Sequence, residues 1–293
     1  MKYRLALFLL LIFAGAYYWL KRPGGEAPAI TIPAPVEAPT PPPSFVPKRL
    51  DTPRKGANTV LVPSPNAEVY KKLVPYRAID GLAVAYGDVI LGQLDEDAPD
   101  EGFHQPEAVR LWEEREIPYG IATTLPNPGR ITDAITYLTK ATNLVFVPLT
   151  DQHDGIVFEP GTENCLSALG KTGGRQPIRL SANCGRTEIL HEILHALGFV
   201  HEHSRPDRDQ YVEVLWKNVD AKYQDQFRAV PAALDDPSRG TPFDFESIML
   251  YPSNLFGKEK GLETLRGRNG QQLSPTRERL SAGDLRRIRD SYR

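Results

Sequence analysis

The chain has 293 residues, 27 of them proline, with a formal net charge of −2 at pH 7 and a sequence pI of about 6.3. This length exceeds one average domain, but the uneven distribution of apolar residues predicts one packed domain behind a long N-terminal extension. The small net charge excludes a strong basic field that would attract nucleic acid or an anionic membrane, so the partner must be inferred from the site itself.

Residues 1–22 form the first predicted element, an export segment. Two basic residues precede an apolar run over residues 5–20 in "MKYRLALFLLLIFAGAYYWLKR". Small residues at 14–16 fit the cleavage site of a signal peptide. The aromatic residues at 17–19 instead fit a retained anchor that tethers the chain to a membrane, although the apolar run is shorter than the ~20 residues that a span needs. A buried core helix is a third interpretation. The first two are favoured and stay open, and both place the rest of the chain outside the cytoplasm.

The next predicted segment, residues 23–65, is a spacer. It is rich in proline and polar residues, as in "TIPAPVEAPTPPPSFVPKRL", and shows neither a helical nor a strand period. Such a composition predicts a semi-extended, polyproline-like segment. Dense apolar patterning begins near Ala108, so one folded domain is expected over residues 108–293.

Within this domain a helix and three strands are predicted before the histidine-rich segment. Residues 130–143, "RITDAITYLTKATN", place apolar side chains at i, i+3, i+4 and i+7, which predicts one buried helix face. A buried strand is expected at 144–150, and shorter strands at 153–160 and 176–184. A helix followed by a mixed sheet indicates the α+β class. The predicted helix face consists of Ile131, Ala134, Ile135 and Leu138.

Four of the six histidines lie within residues 191–203, at the start of "HEILHALGFVHEHSRPDRD". His191 and His195 are four residues apart, so a helix would place both imidazoles on one face, within reach of one ion. Glu192, one step around the helix, could take a proton from a water bound to that ion. A solvated helix that happens to be rich in histidine is the alternative, because this five-residue pattern alone is weak.

Gly198 and His201 strengthen the metal hypothesis. Glycine adopts the left-handed conformation that ends a helix, so the chain can turn back after Gly198 and bring His201 to the same ion. Three neutral imidazoles and one open position are typical of a catalytic zinc site, whereas a closed structural site usually has cysteine ligands. The chain has only two cysteines, so the pattern predicts one catalytic zinc ion.

These residues resemble a known family. "HEILHALGFVHE" matches the His-Glu-x-x-His-x-x-Gly-x-x-His pattern of the metzincin zinc peptidases, and Glu202 with the nearby "SRPDRD" is similar to the astacin branch. "FDFESIMLY", residues 243–251, resembles the astacin Met-turn. The resemblance implies that Met249 lies beneath the zinc site. It also implies that Tyr251 binds zinc at rest and swings away to stabilise the reacting carbonyl.

The resemblance extends from residue 111 to residue 292 and implies an astacin-like zincin fold. In that α+β fold two subdomains flank a cleft that contains one zinc ion, and a helix closes the chain. Ser281, with Asp284 three residues later, fits the N-terminus of this helix. The arginines of the same helix are expected to face solvent rather than nucleic acid: Arg286, Arg287 and Arg289.

Cys165 and Cys184 are expected to form a disulfide, because the family has one at this place and exported chains usually pair their cysteines. Two buried thiols are the alternative. The two cysteines flank a segment that resembles the family's substrate-aligning edge strand. We therefore expect Ile178–Ala182 to lie at an exposed edge, where an extended substrate could pair with its backbone.

Residues 66–107 are expected to be a pro-segment. Within it "AYGDVILG", residues 85–92, resembles the Phe-x-Gly-Asp segment through which astacin propeptides place an aspartate on the zinc. Asp88 would then be a zymogen latch, although Ala85 replaces the usual aromatic residue and Gly-Asp is also an ordinary turn. Cleavage within Leu94–Glu107 would release the latch.

The resemblance implies a zinc-dependent endopeptidase that is made as a latent zymogen. Zinc would activate a water, Glu192 would act as general base, and Tyr251 would stabilise the carbonyl oxygen. Glu202 would hold the new N-terminus of the trimmed enzyme. The expected partners are protein or peptide substrates and no nucleic acid, and we expect a monomer that is secreted, periplasmic or membrane-anchored. A zincin-fold module that binds without cutting, displayed outside the cytoplasm, is the alternative function.

Overall fold

The computed structural model describes residues 73–74, 76–94, 103–104, 108–232, 234 and 236–293. The predicted export segment, the proline spacer and the acidic connection at 95–102 lie outside the described residues. No helix in the described part of the chain is long and apolar enough to cross a membrane.

A mixed eight-stranded sheet forms the frame of the described chain. In chain order the strands are β1 (Leu73–Val74), β2 (Arg77–Ile79), β3 (Leu82–Ala85), β4 (Val89–Gln93), β5 (Phe103–His104), β6 (Glu116–Ile121), β7 (Val145–Pro148), β8 (Gly155–Pro160), β9 (Cys165–Ala168), β10 (Arg175–Leu180), β11 (Val212–Val214) and β12 (Leu265–Gly267). The sheet order is β2-β3-β4-β9-β10-β8-β6-β7, while β1 pairs with β5 and β11 with β12. Strands β10, β8, β6 and β7 run parallel, and β9 is antiparallel to β10. The predicted pro-segment thus supplies three strands, β2 to β4, to the sheet.

Helix α1 (Gly129–Ala141) confirms the predicted amphipathic helix. All four residues of its predicted apolar face are buried. They pack in the main core together with side chains from β6, β8 and β10. Burial of each large apolar side chain contributes about 1.5–3 kcal/mol, so the apolar face holds the helix on the sheet.

The histidine-bearing segment forms helix α2 (Arg186–Ala196), which ends next to Gly198 as expected. Gly198 has φ +101°, a left-handed conformation that glycine adopts without steric cost. A Cβ at this position would lie 2.7 Å from Cδ2 of Leu111 and 3.0 Å from Cγ1 of Val109. The backbone therefore needs glycine here both for its conformation and for its close approach to the chain that precedes β6.

Two strand predictions are wrong. The segment 144–150, expected to be buried, forms β7 at the sheet edge, where Val145 is 45% exposed. Ile178–Ala182 was expected at an exposed edge, but Ile178–Leu180 form the end of β10, which lies between β8 and β9. Apolar content marks a strand but does not give its place in the sheet, because its hydrogen-bonded neighbours are distant in sequence. Without the strands of the predicted pro-segment, β2 to β4, the strand at this edge of the sheet would be β9.

The expected disulfide joins Cys165 to Cys184 and is confirmed. Cys165 begins β9 and Cys184 follows β10, so the bridge links this edge strand to the loop that leads into α2. Such a bridge is typical of proteins that act outside the reducing cytoplasm.

The C-terminal helix α3 (Ala282–Ser291) begins where the sequence predicts. Asp284 N donates to Ser281 Oγ and Ser281 N donates to Asp284 Oδ2, which is a capping box. The Asp284 carboxylate also accepts hydrogen bonds from Ser247 Oγ at 2.6 Å and from Ile248 N at 3.1 Å. The start of the helix is thereby tied to the predicted Met-turn.

The prediction that the arginines of α3 face solvent is wrong for one of them. Arg286 and Arg289 are exposed, but Arg287 is 5% exposed. Its guanidinium group bonds the buried carboxylate of Glu202 and donates to the carbonyl oxygen of Pro242 at 2.7 Å. A buried carboxylate needs a partner charge, and the spacing of arginines along one helix does not reveal that need.

Gly198→Ala tests the end of helix α2. We expect the free energy of unfolding to fall by about 2–5 kcal/mol, because a left-handed alanine costs roughly 1–2 kcal/mol and its Cβ would overlap Leu111. Gly261→Ala is the matched control, since Gly261 also has a positive φ (+84°) but no atom within 4 Å of the Cβ position. Chemical denaturation compares the two variants, and equal losses would contradict the steric explanation.

Candidate metal centre

The three predicted ligand histidines converge on one point. His191 Nε2 lies 3.0 Å from His201 Nε2, and His195 Nε2 lies 3.3 Å from the same atom. Helix α2 presents the first two side chains from one face, and the turn at Gly198 returns the chain so that His201 meets them. His195 and His201 are buried, and the side chain of His191 is 12% exposed.

Backbone carbonyls orient two of these rings. His191 Nδ1 lies 3.0 Å from the carbonyl oxygen of Ile248, and His195 Nδ1 lies 2.8 Å from that of Phe199. A carbonyl oxygen only accepts, so each Nδ1 donates its proton and each Nε2 presents a lone pair to the shared point. Burial lowers the pKa of His195 to about 4, which keeps its imidazole neutral near pH 7.

This set of atoms fits a zinc ion. Asp88 adds a carboxylate, whose oxygens lie 3.1 Å from His195 Nε2 and 3.4 Å from Nε2 of both His191 and His201. The four ligand atoms all lie within 4.8 Å of one another. Acceptor atoms that face one another in a buried site are stabilised by a positive charge, and neutral imidazoles with a carboxylate are ligands that zinc prefers.

Asp88 reaches the histidines from the loop of a β-hairpin. Strands β3 and β4 pair up to the residues on either side of the loop, residues 86–88. Tyr86 and Gly87 have positive φ values of +52° and +107°. A Cβ on Gly87 would lie 2.6 Å from the hydroxyl oxygen of Tyr251. The loop therefore contacts the site through its backbone as well as through its carboxylate.

Glu192 follows the first ligand on helix α2 and is 2% exposed. Its Oε2 atom has no hydrogen-bond partner in the part of the chain that the structure describes. Burial first, and then the charge of Asp88, raise the pKa of its carboxyl group well above the usual range. A buried, unpartnered carboxyl oxygen next to a metal ligand is suited to exchange a proton with a small molecule bound there.

Tyr251 contacts the histidines from the predicted Met-turn segment. Its ring stacks on that of His203, with 3.9 Å between the centroids, and its centroid lies 5.1 Å from that of His201. Its hydroxyl donates to Oε1 of Gln226 at 3.3 Å. Burial is the main cause that raises the pKa of Tyr251 well above its usual value, so the hydroxyl keeps its proton.

Two residues of this site were missed by the sequence prediction. His203 was counted in the histidine cluster but was given no role. Its ring stacks on both His201 and Tyr251, and its Nε2 lies 3.3 Å from the carbonyl oxygen of Gln226. The density of histidines was the available signal for His203. Gln226 lies far from the histidine motif and from the Met-turn, and no pattern around it indicates a role.

Glu202 and Met249 join the histidine segment to the predicted Met-turn. Glu202 N donates to the carbonyl oxygen of Met249 at 3.0 Å. The buried Glu202 carboxylate bonds the guanidinium group of Arg287, that of Arg205 at 3.3 Å, and the backbone N of Asp244 at 3.1 Å. The predicted contact of Glu202 with a new N-terminus would compete with two guanidinium groups, and it stays a prediction.

Known proteins share this architecture. Residues 104–293 match the family model of the astacin peptidases. The chain is 36% identical over 192 residues to tolloid-like protein 2 of Mus musculus, and 34% identical over 192 residues to zinc metalloproteinase nas-4 of Caenorhabditis elegans. These alignments cover 63% and 62% of this chain but only 19% and 59% of the relatives. The chain thus spans less than two thirds of the length of either relative.

A solved structure extends the comparison to the fold. High choriolytic enzyme 1 of Oryzias latipes, a hatching enzyme zinc-protease, aligns with a TM-score of 0.56 at 29% identity, over 61% of this chain and 92% of that chain. The chain has an α+β zincin fold with a three-histidine site that fits a zinc ion. The chain belongs to the astacin family.

Alanine at any ligand position should weaken zinc binding. We expect His191→Ala, His195→Ala and His201→Ala each to lower zinc affinity at least about tenfold, because two imidazoles leave an incomplete coordination shell. His153→Ala is the matched control, since that side chain is 90% exposed and lies outside the cluster. Metal analysis after dialysis measures zinc per chain, and circular dichroism checks the fold. Full zinc content in a folded ligand variant would contradict the assignment.

Proposed function

We propose that the chain is a zinc-dependent endopeptidase that hydrolyses peptide bonds in protein or peptide substrates and is made as a latent zymogen. His191, His195 and His201 would hold the ion. The observation that carries the proposal is that these three imidazoles converge beside Glu192, whose buried carboxyl oxygen has no partner among the described residues. A structural metal site has no need of such an oxygen, whereas hydrolysis needs a group that takes a proton from water.

Glu192 is proposed to be the general base. When bound, a zinc ion acts as a Lewis acid and lowers the pKa of an adjacent water towards ~7. Glu192 Oε2 would accept a proton from this water and later donate it to the leaving amine. Burial of Glu192 keeps bulk water away from this oxygen, so the proton would pass only between the carboxyl group and the reacting molecules.

Tyr251 is proposed to donate a hydrogen bond to the carbonyl oxygen of the peptide that is cut. Burial raises its pKa well above the usual value, so the hydroxyl keeps the proton that a donor needs. In the latent arrangement this hydroxyl is bonded to Gln226 and approached by the backbone of Gly87. Departure of residues 86–88 would open the space beside it.

An extended substrate is proposed to pair with β9. This strand has β10 on one side and β4 on the other, with Val89 opposite Ser167 and Ile90 opposite Ala168. Removal of β4 would expose backbone N–H and C=O groups along one edge of β9. Such an edge binds an extended peptide through its main chain and leaves selectivity to pockets for alternate side chains.

Latency is proposed to depend on Asp88. Its carboxylate oxygens lie within 3.4 Å of the Nε2 atoms of all three histidines, where they would take the position that a catalytic zinc site leaves open. A tethered ligand has a high effective concentration, so water and substrate would not displace it while the tether holds. A cut within Leu94–Glu107 is the proposed first step of activation.

The proposal also covers export, the N-terminal segment and the oligomeric state. The disulfide and the family indicate a site of action outside the cytoplasm. Residues 5–20, which are either part of a cleaved signal or a retained membrane tether, lie outside the described residues. We also propose that the enzyme is a monomer and that Glu202 contacts the N-terminus of its trimmed form.

Glu192→Gln should separate the chemistry from the metal. We expect this variant to fold and retain zinc while kcat falls about 10⁴-fold, because an amide cannot accept the proton. Tyr251→Phe should lose only about 10²-fold, because it removes one hydrogen bond to the reacting oxygen. Both variants are measured after activation with a quenched peptide library, alongside zinc analysis.

Two results of that experiment would count against the proposal. If kcat falls equally in Glu192→Gln and Tyr251→Phe, Tyr251 has a role other than the proposed hydrogen bond. No hydrolysis by activated, zinc-loaded wild type would favour the alternative of a zincin-fold module that binds without cutting. Use of a peptide library, instead of one peptide, keeps a narrow substrate preference from being mistaken for inactivity.

Asp88→Ala tests the latch. The uncut full-length variant should hydrolyse a short quenched peptide at least about tenfold faster than uncut wild type, because its metal position is open. It should remain slower than the trimmed enzyme, since β4 still covers β9. Asp80→Ala changes another aspartate through which the pro-segment contacts the domain, and it should stay latent. Equal activity of uncut wild type and Asp88→Ala, with both chains intact by mass spectrometry, would contradict the latch.

A further inference from the structure

Strand pairing joins the predicted pro-segment to the domain independently of the metal site. β4 runs parallel to β9 and continues into the antiparallel strands β3 and β2. Ser167 N of β9 also donates to the backbone oxygen of Asp88 at 3.0 Å. The pro-segment therefore extends the domain's own sheet by three strands. Backbone hydrogen bonds of this kind form between separate chains as well as within one chain.

Apolar burial makes a second contact. One group of pro-segment side chains packs on Val200, Val230 and Leu234, and another packs on Leu166 of β9. Loss of the pro-segment would expose both sides of these contacts to water, which opposes dissociation. The pro-segment side chains that are at most 8% exposed are Val74, Tyr76, Leu82, Ala83, Val84, Ala85, Tyr86, Val89 and Ile90.

A polar contact holds the turn between β2 and β3. Asp80 Oδ1 accepts a hydrogen bond from Thr162 Oγ1 at 2.7 Å, and Asp80 Oδ2 accepts one from Thr162 N at 3.0 Å. Thr162 lies in the loop between β8 and β9. The contact includes none of the histidines, Glu192 or Tyr251, so it can be altered without a change to the metal site.

A fourth contact spans the predicted cleavage segment. β1 pairs with β5, with Leu73 opposite His104 and Val74 opposite Phe103. Activation would cut the connection between β4 and β5. After such a cut β5 would lie at the start of the domain fragment, while β1 would belong to the pro-segment. This strand pair would then bridge the two fragments.

We infer that the domain carries a binding surface for the pro-segment, residues 73–94, as a separate peptide. The surface consists of β5, the edge of β9, Thr162, and the apolar patch formed by Val200, Val230 and Leu234. The consequence of this inference rests on the proposed function: one cut between β4 and β5 leaves a noncovalent complex in which Asp88 still blocks the metal. Activation then needs a second event, which is dissociation or digestion of the bound peptide.

The test uses the full-length, zinc-loaded chain with a recognition sequence for a specific protease placed within 95–102. Once mass spectrometry shows that the cut is complete, native size-exclusion chromatography separates free peptide from complex. We expect the two fragments to co-elute, with activity on a short quenched peptide below about a tenth of that reached after the pro-segment is digested. Separate elution directly after the cut, with full activity, overturns the inference.

Variants of the polar contact test the surface without touching the metal site. Asp80→Ala should release the cut pro-segment about tenfold faster than wild type, because both hydrogen bonds to Thr162 are lost. Thr162→Val removes only the hydroxyl donor and should have a smaller effect in the same direction. Asp151→Ala, which removes an exposed carboxylate in another loop, is the matched control and should release the peptide at the wild-type rate. If both Asp80→Ala and Thr162→Val release the peptide at the wild-type rate, the Asp80–Thr162 contact is not part of the binding surface.

Asp88→Ala separates this inference from the proposed function. Its fragments should still co-elute after the cut, because strand pairing, apolar burial and the Asp80 contact remain. Co-elution with no activity in wild type, even after the pro-segment is digested, would reject the peptidase function and support the binding surface. If Asp88→Ala fragments separate at once while wild-type fragments stay together, the metal contact alone holds the pro-segment, and the inference is overturned.

Discussion

The rest of the structure depends on one constraint, the close approach of three imidazole nitrogens in a buried site. His201 Nε2 lies 3.0 Å from one ligand nitrogen and 3.3 Å from the other. Lone pairs that face one another at such distances in a buried site repel. Contacts on the far side of each ring must therefore hold it in position so that a cation can bind between the rings. The carbonyl oxygens of Ile248 and Phe199 provide this support. One lies in the predicted Met-turn and the other in the turn after α2, so both turns must be placed accurately.

The C-terminal helix α3 helps to place the turn that contains Ile248, although it carries none of the three histidines itself. Asp284 accepts a hydrogen bond from Ile248 N, and the carbonyl oxygen of the same Ile248 accepts one from His191. A second link runs from Arg287 to Glu202, which directly follows the third ligand. The side chains of Glu202 and Arg287 are both buried, so water screens this pair weakly, and burial raises the pKa of Glu202 despite its arginine partners. Removal of one partner from such a buried pair costs about 3–5 kcal/mol, so the helix end and the metal site are energetically connected.

The spacing of nearby residues was enough to predict those features that lie within a single helix or at its end. The i, i+4 histidines, the helix end at Gly198 and the capping box of α3 each depend on residues a few positions apart. The disulfide followed from the resemblance to a family. The predicted edge position of Ile178–Ala182 was wrong, because the place of this segment depends on which strands lie on either side of it. The prediction that Arg287 faces solvent was wrong for the same reason, because its partner Glu202 lies 85 residues away in the sequence. Gln226 reaches Tyr251 only through the folded chain, so no local pattern could have indicated it.

The hairpin loop of the predicted pro-segment covers three features to which the proposed mechanism gives a role. The backbone of Gly87 approaches the hydroxyl of Tyr251, the carboxylate of Asp88 faces the histidines, and β4 occupies the edge of β9. Positive φ values at Tyr86 and Gly87 turn the chain tightly, so Asp88 can project from the loop while β4 stays in the sheet. Ala85, at the start of this turn, packs among apolar neighbours. A side chain at Gly87 would collide with Tyr251 and displace the carboxylate. The proposed latency would therefore depend on backbone geometry as much as on the charge of one aspartate.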